Sequence, residues 1–280
     1  MKGCPLRCRW CSNPESQNPY PEIAYIEDRC IGIKECGYCL AACPENAIKE
    51  SGSGKASINR NLCNNCGKCA EVCPARAIKL YGQQMLVAEI LKEVEKDSVF
   101  YRRSGGGVTV GGGEPLAQAG FVSALLKECR ERGLDTAIET CGYGTWEDLE
   151  KVCRHADLVF FDIKSMNAGK HRTATGVSNE LILENISKLA EYFPDTPVLV
   201  RTPIIPGFND SEEDIQKIAD FLSEIQNLRE YELLSYHGFG EPKYHQLGRK
   251  YALSGLKASS EEIMARLRRV TETIRVENDK

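Results

Sequence analysis

The cysteines of this chain are too many and too closely grouped to be ordinary packing side chains. Fourteen occur in 280 residues. They fall into three runs: Cys4, Cys8 and Cys11; Cys30, Cys36, Cys39 and Cys43; and Cys63, Cys66, Cys69 and Cys73. Cys129, Cys141 and Cys153 stand apart. No secretory leader opens the chain, and no apolar run approaches the ~20 residues that span a bilayer. The expected compartment is the cytoplasm, where thiols stay reduced and disulfides are a poor explanation. Tight cysteine spacing then points to metal ligation. The net charge of −4 gives no electrostatic reason to expect nucleic acid or an anionic membrane as partner.

The second and third runs belong to one repeated unit. Cys39-Leu-Ala-Ala-Cys43-Pro44-Glu-Asn-Ala47-Ile48-Lys49 is echoed by Cys69-Ala-Glu-Val-Cys73-Pro74-Ala-Arg-Ala77-Ile78-Lys79. An internal repeat this close implies two copies of one small supersecondary element. Cys63-x-x-Cys66-x-x-Cys69-x-x-x-Cys73-Pro74 has the spacing of a bacterial ferredoxin, in which the fourth cysteine of each run ligates the other cluster. Cys63, Cys66, Cys69 and Cys43 are therefore expected to hold one [4Fe-4S] cluster. Cys30, Cys36, Cys39 and Cys73 are expected to hold another, although Cys30 and Cys36 are more widely spaced than the pattern asks. A pair of zinc knuckles is the plainer alternative. Residues 23–80 thus read as an inserted ferredoxin-like domain that relays electrons or serves structure.

The rest of the chain, residues 1–22 and 81–280, reads as a single α/β core. Apolar segments at Val108–Val110, Thr136–Glu139, Leu158–Ile163, Val198–Arg201 and Tyr231–Leu234 are expected strands. Amphipathic stretches at Met85–Lys96, Leu116–Glu131, Trp146–His155, Asn179–Tyr192, Ser211–Ile225 and Ser260–Ile274 are expected helices. Strands alternating with helices predict a parallel sheet curling into a partial TIM-like barrel. Polar groups follow the strands: Gly111-Gly112-Gly113-Glu114, Glu139-Thr140, Asp162-Ile163-Lys164, Arg201-Thr202-Pro203 and Ser235-Tyr236-His237. Parallel barrels place their sites at the C-terminal ends of strands, so these groups are expected to share one mouth.

Cys4-x-x-x-Cys8-x-x-Cys11 supplies three thiolates where a four-iron cubane usually has four protein ligands, which leaves one iron open. Zinc with a fourth ligand from elsewhere is the alternative. The whole segment Lys2-Gly3-Cys4-Pro5-Leu6-Arg7-Cys8-Arg9-Trp10-Cys11-Ser12-Asn13-Pro14-Glu15-Ser16 resembles the cluster loop of glycyl radical enzyme activating enzymes, members of the radical S-adenosylmethionine superfamily. It is most similar to the branch with a two-cluster insert. The resemblance implies a (β/α)6 partial barrel, three [4Fe-4S] clusters and S-adenosylmethionine chelated by the open iron. It implies that Gly112, Gly113 and Glu114 meet the cofactor's amino group, and that Glu139 and Thr140 lie near its carboxylate and a monovalent cation. Asp162 and Lys164 would reach its polar groups, Arg201 would lie close by, His237 would meet the ribose or adenine, and Trp10 could pack on adenine.

Each residue also has a plainer reading. The glycines could make a turn, Asp162 and Lys164 an ion pair, Arg201 a structural pair, Glu139-Thr140 a helix cap, and His237 a structural contact. Cys129 and Cys153 read as packed side chains in helices, and Cys141, beside Glu139-Thr140 near the expected site, reads as structural.

The activity implied is that of an oxidoreductase working anaerobically. Reductive cleavage gives methionine and a 5′-deoxyadenosyl radical, which takes a hydrogen from a glycine of a partner glycyl radical enzyme. A flavodoxin or ferredoxin would supply the electron, and the chain is expected to be monomeric. The rivals are a radical enzyme acting on a small molecule and a non-catalytic electron carrier. The family also has a strand before the cluster loop, whereas Met1 precedes Cys4 by three residues. The first barrel strand is therefore expected to be missing, with five strands present and one sheet edge unpaired.

Overall fold

The computed structural model describes residues 1–272. In chain order, strand β1 (Glu22–Tyr25) leads into the cysteine-rich unit, which contains α1 (Tyr38–Ala42), β2 (Ile48–Glu50), β3 (Ala56–Ile58) and α2 (Lys68–Glu71). It closes with β4 (Ile78–Tyr81). β1 and β4 pair antiparallel from Glu22↔Tyr81 to Tyr25↔Ile78, so the chain enters and leaves this unit through one two-stranded neck. Its core is small: Ile23, Ile48, Ala56 and Ile78 pack around Cys39 and Cys69. So little apolar surface rarely holds a unit together unaided, and metal crosslinks are the usual remedy.

Beyond the neck come α3 (Val87–Glu95), α4 (Ser98–Ser104), β5 (Gly107–Val110), α5 (Ala119–Glu131), β6 (Asp135–Thr140), α6 (Trp146–Cys153) and β7 (Leu158–Asp162). They are followed by α7 (Ala168–Thr175), α8 (Glu180–Tyr192), β8 (Val198–Ile204), α9 (Glu212–Leu222), β9 (Leu228–Ser235), α10 (Glu241–Gln246) and α11 (Glu261–Thr271). Strands β5 to β9 form one parallel sheet in sequence order. The sheet buries Ile138, Val159, Phe161, Val198 and Val200 against helices that show helical spacing, such as Val122, Leu125, Leu126 and Cys129 on α5. A fully buried side chain of this kind contributes about 1.5–3 kcal/mol.

Most expected elements are present with shifted ends. The helix expected from Leu116 begins as a 3-10 turn, Pro115–Gln118, because Pro115 fixes the entry and Gln118 departs from helical backbone angles. The fourth strand runs on to Ile204, so Arg201 sits inside it, level with Asp162 of β7, rather than at its end. The fifth starts at Leu228, which pairs with Val198, and an irregularity in register follows before Leu199 pairs with Glu230. The last helix was expected to reach Ile274; residues 273 and 274 lie outside the described ones. Helices α4, α7 and α10 carry no strong apolar period and were not anticipated. α7 reads Ala-Gly-Lys-His-Arg-Thr-Ala-Thr and relies instead on Asn167, whose side chain accepts from Lys170 N at 2.8 Å. Among the described residues no helix is long and apolar enough to cross a membrane.

Candidate active site

The C-terminal ends of the strands open onto a cavity of about 320 Å³, and residues 3–17 lie across it. That segment is fixed by its backbone. Gly3 N donates to Ser16 O (2.8 Å) and Cys4 N to Gln17 O (3.0 Å), while Arg7 N and Arg9 N donate to Thr175 O and Ala174 O at the end of α7 (2.6 and 3.0 Å). The Asn-Pro-Glu-Ser tail is held from far along the chain. Lys243 Nζ donates to Asn13 Oδ1 (2.8 Å) and Glu15 Oε1 (2.7 Å), and Arg249 Nη1 donates to Pro14 O (2.8 Å). Cys4, Cys8 and Cys11 then line the cavity together. Burial pushes the Cys4 thiol up to about 11 and the Cys8 thiol up to about 12. Three cysteine sulfurs bordering one cavity form a donor set that fits an iron–sulfur cluster.

The facing wall comes from the strands. Gly112, Gly113, Glu139, Thr140, Asp162, Lys164, Arg201, His237 and Trp10 all border the same cavity. Arg201 is the hub of the charges: Nη1 lies 3.0 Å from Glu139 Oε1 and Nε 3.4 Å from Asp162 Oδ1. Its guanidinium also lies 4.8 Å from the Phe160 ring centroid. Lys164 Nζ lies 3.2 Å from Asp162 Oδ2. Burial lowers the Lys164 pKa, but the Asp162 carboxylate together with Cys8 and Cys141 raises it further than burial lowers it, and the ammonium stays charged. The bland reading of an Asp162–Lys164 pair is thus present, and it faces the cavity. His237 is exposed and stacks on Phe239, rings 4.4 Å apart. Trp10 is buried, 4.9 Å from Phe208.

In the cysteine-rich unit, Cys30, Cys36, Cys39 and Cys73 border one cavity, and Cys43, Cys63, Cys66 and Cys69 border a second. The last cysteine of each run crosses to the other group. Among the described residues no three His, Cys, Asp or Glu side chains converge tightly enough to hold a single metal ion.

Two family patterns match the sequence: the radical SAM superfamily over residues 61–222 and the 4Fe-4S dicluster domain over residues 29–77. The (2S)-3-sulfopropanediol sulfolyase activating enzyme of Bilophila wadsworthia is 54% identical over 267 residues, covering 95% of this chain and 87% of that protein. The isethionate sulfite-lyase activating enzyme of Oleidesulfovibrio alaskensis is 50% identical over 271 residues, 96% of this chain and 87% of that protein. The chain belongs to the glycyl radical enzyme activating enzymes of the radical SAM superfamily. A solved domain of the pyruvate-formate lyase-activating enzyme from Bacteroides vulgatus is similar too, with TM-score 0.50 and 33% identity over 60% of this chain and 94% of that one. The two family matches overlap at residues 61–77, which the β1–β4 neck encloses within the insert. A bare electron carrier, the rival furthest from catalysis, does not account for a radical SAM match reaching far into the barrel.

One of the residues expected at the site is turned away from the cavity. Glu114 is 1% exposed and does not border the cavity. Its carboxylate accepts from Thr140 Oγ1 (2.6 Å), Cys141 N (2.8 Å) and Leu116 N (3.1 Å), tying the Gly112–Gly113 loop to the end of β6. The Glu114 carboxylate is thus engaged with three buried donors rather than lining the cavity. Thr140 borders the cavity, but its hydroxyl is committed to Glu114. Cys141, expected near the site in a structural role, borders the cavity, where burial keeps it protonated. Ser235 and Tyr236 border the cavity with the rest of their strand-end group, and Gln17, which no sequence signal singles out, borders it as well.

Burial raises the Glu114 pKa above its ordinary 4.5 despite these bonds. The folded state therefore binds the proton more tightly than the unfolded chain. Its contribution is fully present below pH 4.5 and declines as pH rises through the raised folded value. Glu114→Gln sets an amide N–H against a buried N–H donor, at a cost of about 1–3 kcal/mol. The gap in melting temperature between parent and variant is expected to narrow from pH 5 to pH 8; a constant gap would contradict it.

Proposed function

We propose that Cys4, Cys8 and Cys11 hold a [4Fe-4S] cluster with one open iron at the mouth of the barrel, and that S-adenosylmethionine occupies the cavity beside it. The observation that carries this reading is three thiols facing a charged wall across one cavity of about 320 Å³. When bound there, the cluster supplies the electron that cleaves the cofactor to methionine and a 5′-deoxyadenosyl radical. The chain's own residues bind and orient. The backbone of Gly112 and Gly113 takes the cofactor's amino group, and Lys164 and Arg201 supply positive charge for its carboxylate. Asp162 and Glu139 hold those two cations in place. Trp10 and His237, with apolar neighbours, receive the adenine and ribose. A monovalent cation would depend on Glu139, since the Thr140 hydroxyl is engaged with Glu114.

The hydrogen donor is a glycine of a partner glycyl radical enzyme. Relatives named for a sulfolyase and a sulfite-lyase support a partner that cleaves a carbon–sulfur bond. The two four-cysteine cavities, each lined by three cysteines of one run and the last cysteine of the other, support two further [4Fe-4S] clusters. The electron would come from a flavodoxin or ferredoxin in the cytoplasm, and the chain would act as a monomer.

The test is anaerobic reconstitution of the chain with a glycyl radical enzyme encoded beside it, S-adenosylmethionine and a reductant. The expected result is one 5′-deoxyadenosine formed per glycyl radical seen by electron paramagnetic resonance. Formation of 5′-deoxyadenosine without any glycyl radical would favour a small-molecule substrate instead.

A further inference from the structure

The insert meets the barrel across a narrow seam, and one guanidinium bridges it. Arg60 lies in the turn after β3, where Leu62 N and Cys63 N both donate to Asn59 O (3.2 and 3.1 Å), so its position is tied to Cys63, which borders the cavity shared with Cys43, Cys66 and Cys69, here called the inner one. Arg60 Nη1 donates to the carbonyl of Ile23, a residue that borders the cavity of Cys43, Cys63, Cys66 and Cys69. The amide of the same Ile23 donates to Asn65 Oδ1 (3.0 Å), in the turn between Cys63 and Cys66. On the barrel side, Arg60 Nη2 donates to Gln246 O at 2.8 Å, and Tyr81 Oη donates to Gln246 Oε1 at 2.8 Å. A Cβ at Gly248 would lie only 3.0 Å from Arg60 Nε, so the guanidinium is packed tightly between the two bodies.

Gln246 is the last residue of α10, and α10 carries Lys243, which holds Asn13 and Glu15 behind Cys11. One continuous set of contacts therefore runs from the inner cysteine cavity through Arg60 and α10 to the Cys4–Cys11 loop. The outer cavity, bordered by Cys30, Cys36, Cys39 and Cys73, has no residue in this set.

We propose that Arg60 is a positioning residue for electron delivery: it seats the inner insert cluster against α10, and its charge makes that cluster easier to reduce than the outer one. This rests on the three-cluster reading above. A four-thiolate cluster gains one negative charge when one electron arrives from the protein reductant. A fixed cation nearby favours that more negative state, more strongly the less water separates them. The electron is thereby favoured on the cluster that the Arg60–α10 contacts join to the Cys4–Cys11 loop.

The test uses the full chain, anaerobically reconstituted, as parent, Arg60→Gln and Arg60→Lys. Iron is counted first. About twelve per chain is the basis for comparison, and about eight or fewer in the parent means that the three-cluster reading has failed, whatever Arg60 does. Redox titration followed by electron paramagnetic resonance should then show R60Q lowering the potential of one insert cluster and leaving the other two unchanged. R60K should restore most of that shift. Cleavage of S-adenosylmethionine driven by a ferredoxin or flavodoxin should fall about tenfold in R60Q, a typical loss for a residue just outside a metal's ligands. Cleavage driven by dithionite should change little. Unaltered potentials in R60Q with full iron would overturn the proposal, as would an equal shift in R60K. If R60Q loses iron, R60K and Tyr81→Phe decide. Parental potentials with slower protein-driven cleavage support the proposal, and parental rates in both overturn it.

Discussion

Replacing Cys8 with serine is expected to end 5′-deoxyadenosine formation, a loss on the order of 10⁴-fold or more, as for removal of a member of an interdependent catalytic set. The hydroxyl of serine lacks the thiolate that binds iron, and only two of the three facing thiols remain. Iron should drop by about four per chain, and the insert clusters should persist. The fold should survive, because the loop is anchored by backbone bonds to α7 on either side of Cys8, from Arg7 N and Arg9 N. Cys153→Ser is the matched control. That thiol is buried in α6 away from every cysteine cavity, so its loss should affect stability and leave the iron count unchanged. Appreciable cleavage by the Cys8 variant would remove the open-iron assignment.

Gly113→Ala is expected to be damaging too, to a lesser degree and by a different route. A Cβ there would lie 2.2 Å from Gly3 O and 2.7 Å from Ser16 O, both backbone atoms of the cysteine loop. Neither can rotate aside as a side chain would. Gly113 N also donates to Met1 O (2.9 Å) and Glu114 N to Gly3 O (2.7 Å), so the two loops move together or separate. Overpacking against backbone costs about 2–3 kcal/mol, and here the strain falls on the wall facing the cysteines. Melting should shift down, and affinity for S-adenosylmethionine should fall by roughly tenfold, equivalent to ~1.4 kcal/mol. Gly120→Ala provides the contrast: the site lies on α5 with nothing within 4 Å, and alanine there should be neutral or stabilising by about 0.5–1 kcal/mol. Equal effects at the two positions would contradict the geometry.

The barrel was legible because its signals are local. Leu158-Val-Phe-Phe-Asp162 could be read as a strand from its apolar and β-branched content, and α5 and α9 from their spacing. The polar residues after the strands were legible as a set, since a parallel sheet sends all its strand ends to one side. Side-chain direction was not legible. Nothing in Gly-Gly-Gly-Glu tells whether the carboxylate faces a ligand or the amide of Cys141, which is 27 residues away. The role of Asn-Pro-Glu-Ser was equally hidden, for its partners Lys243 and Arg249 lie more than 220 residues on, and no period connects them. α10 escaped notice because it is a single short turn-and-a-half whose value lies in what it holds at each end.

The neck formed by β1 and β4 has a historical consequence. Glu22 and Tyr81 are cross-strand partners, so the two points where the insert joins the barrel are neighbours. A unit whose ends meet can be gained, lost or exchanged with only a short bridge left behind, at the entropy of closing a small loop. The barrel's strand order would be untouched by such an exchange. What would have to be invented afresh each time is the seam, where Arg60 and Tyr81 reach Gln246. In a lineage that swaps such modules, the seam is where their wiring to the barrel would be rewritten.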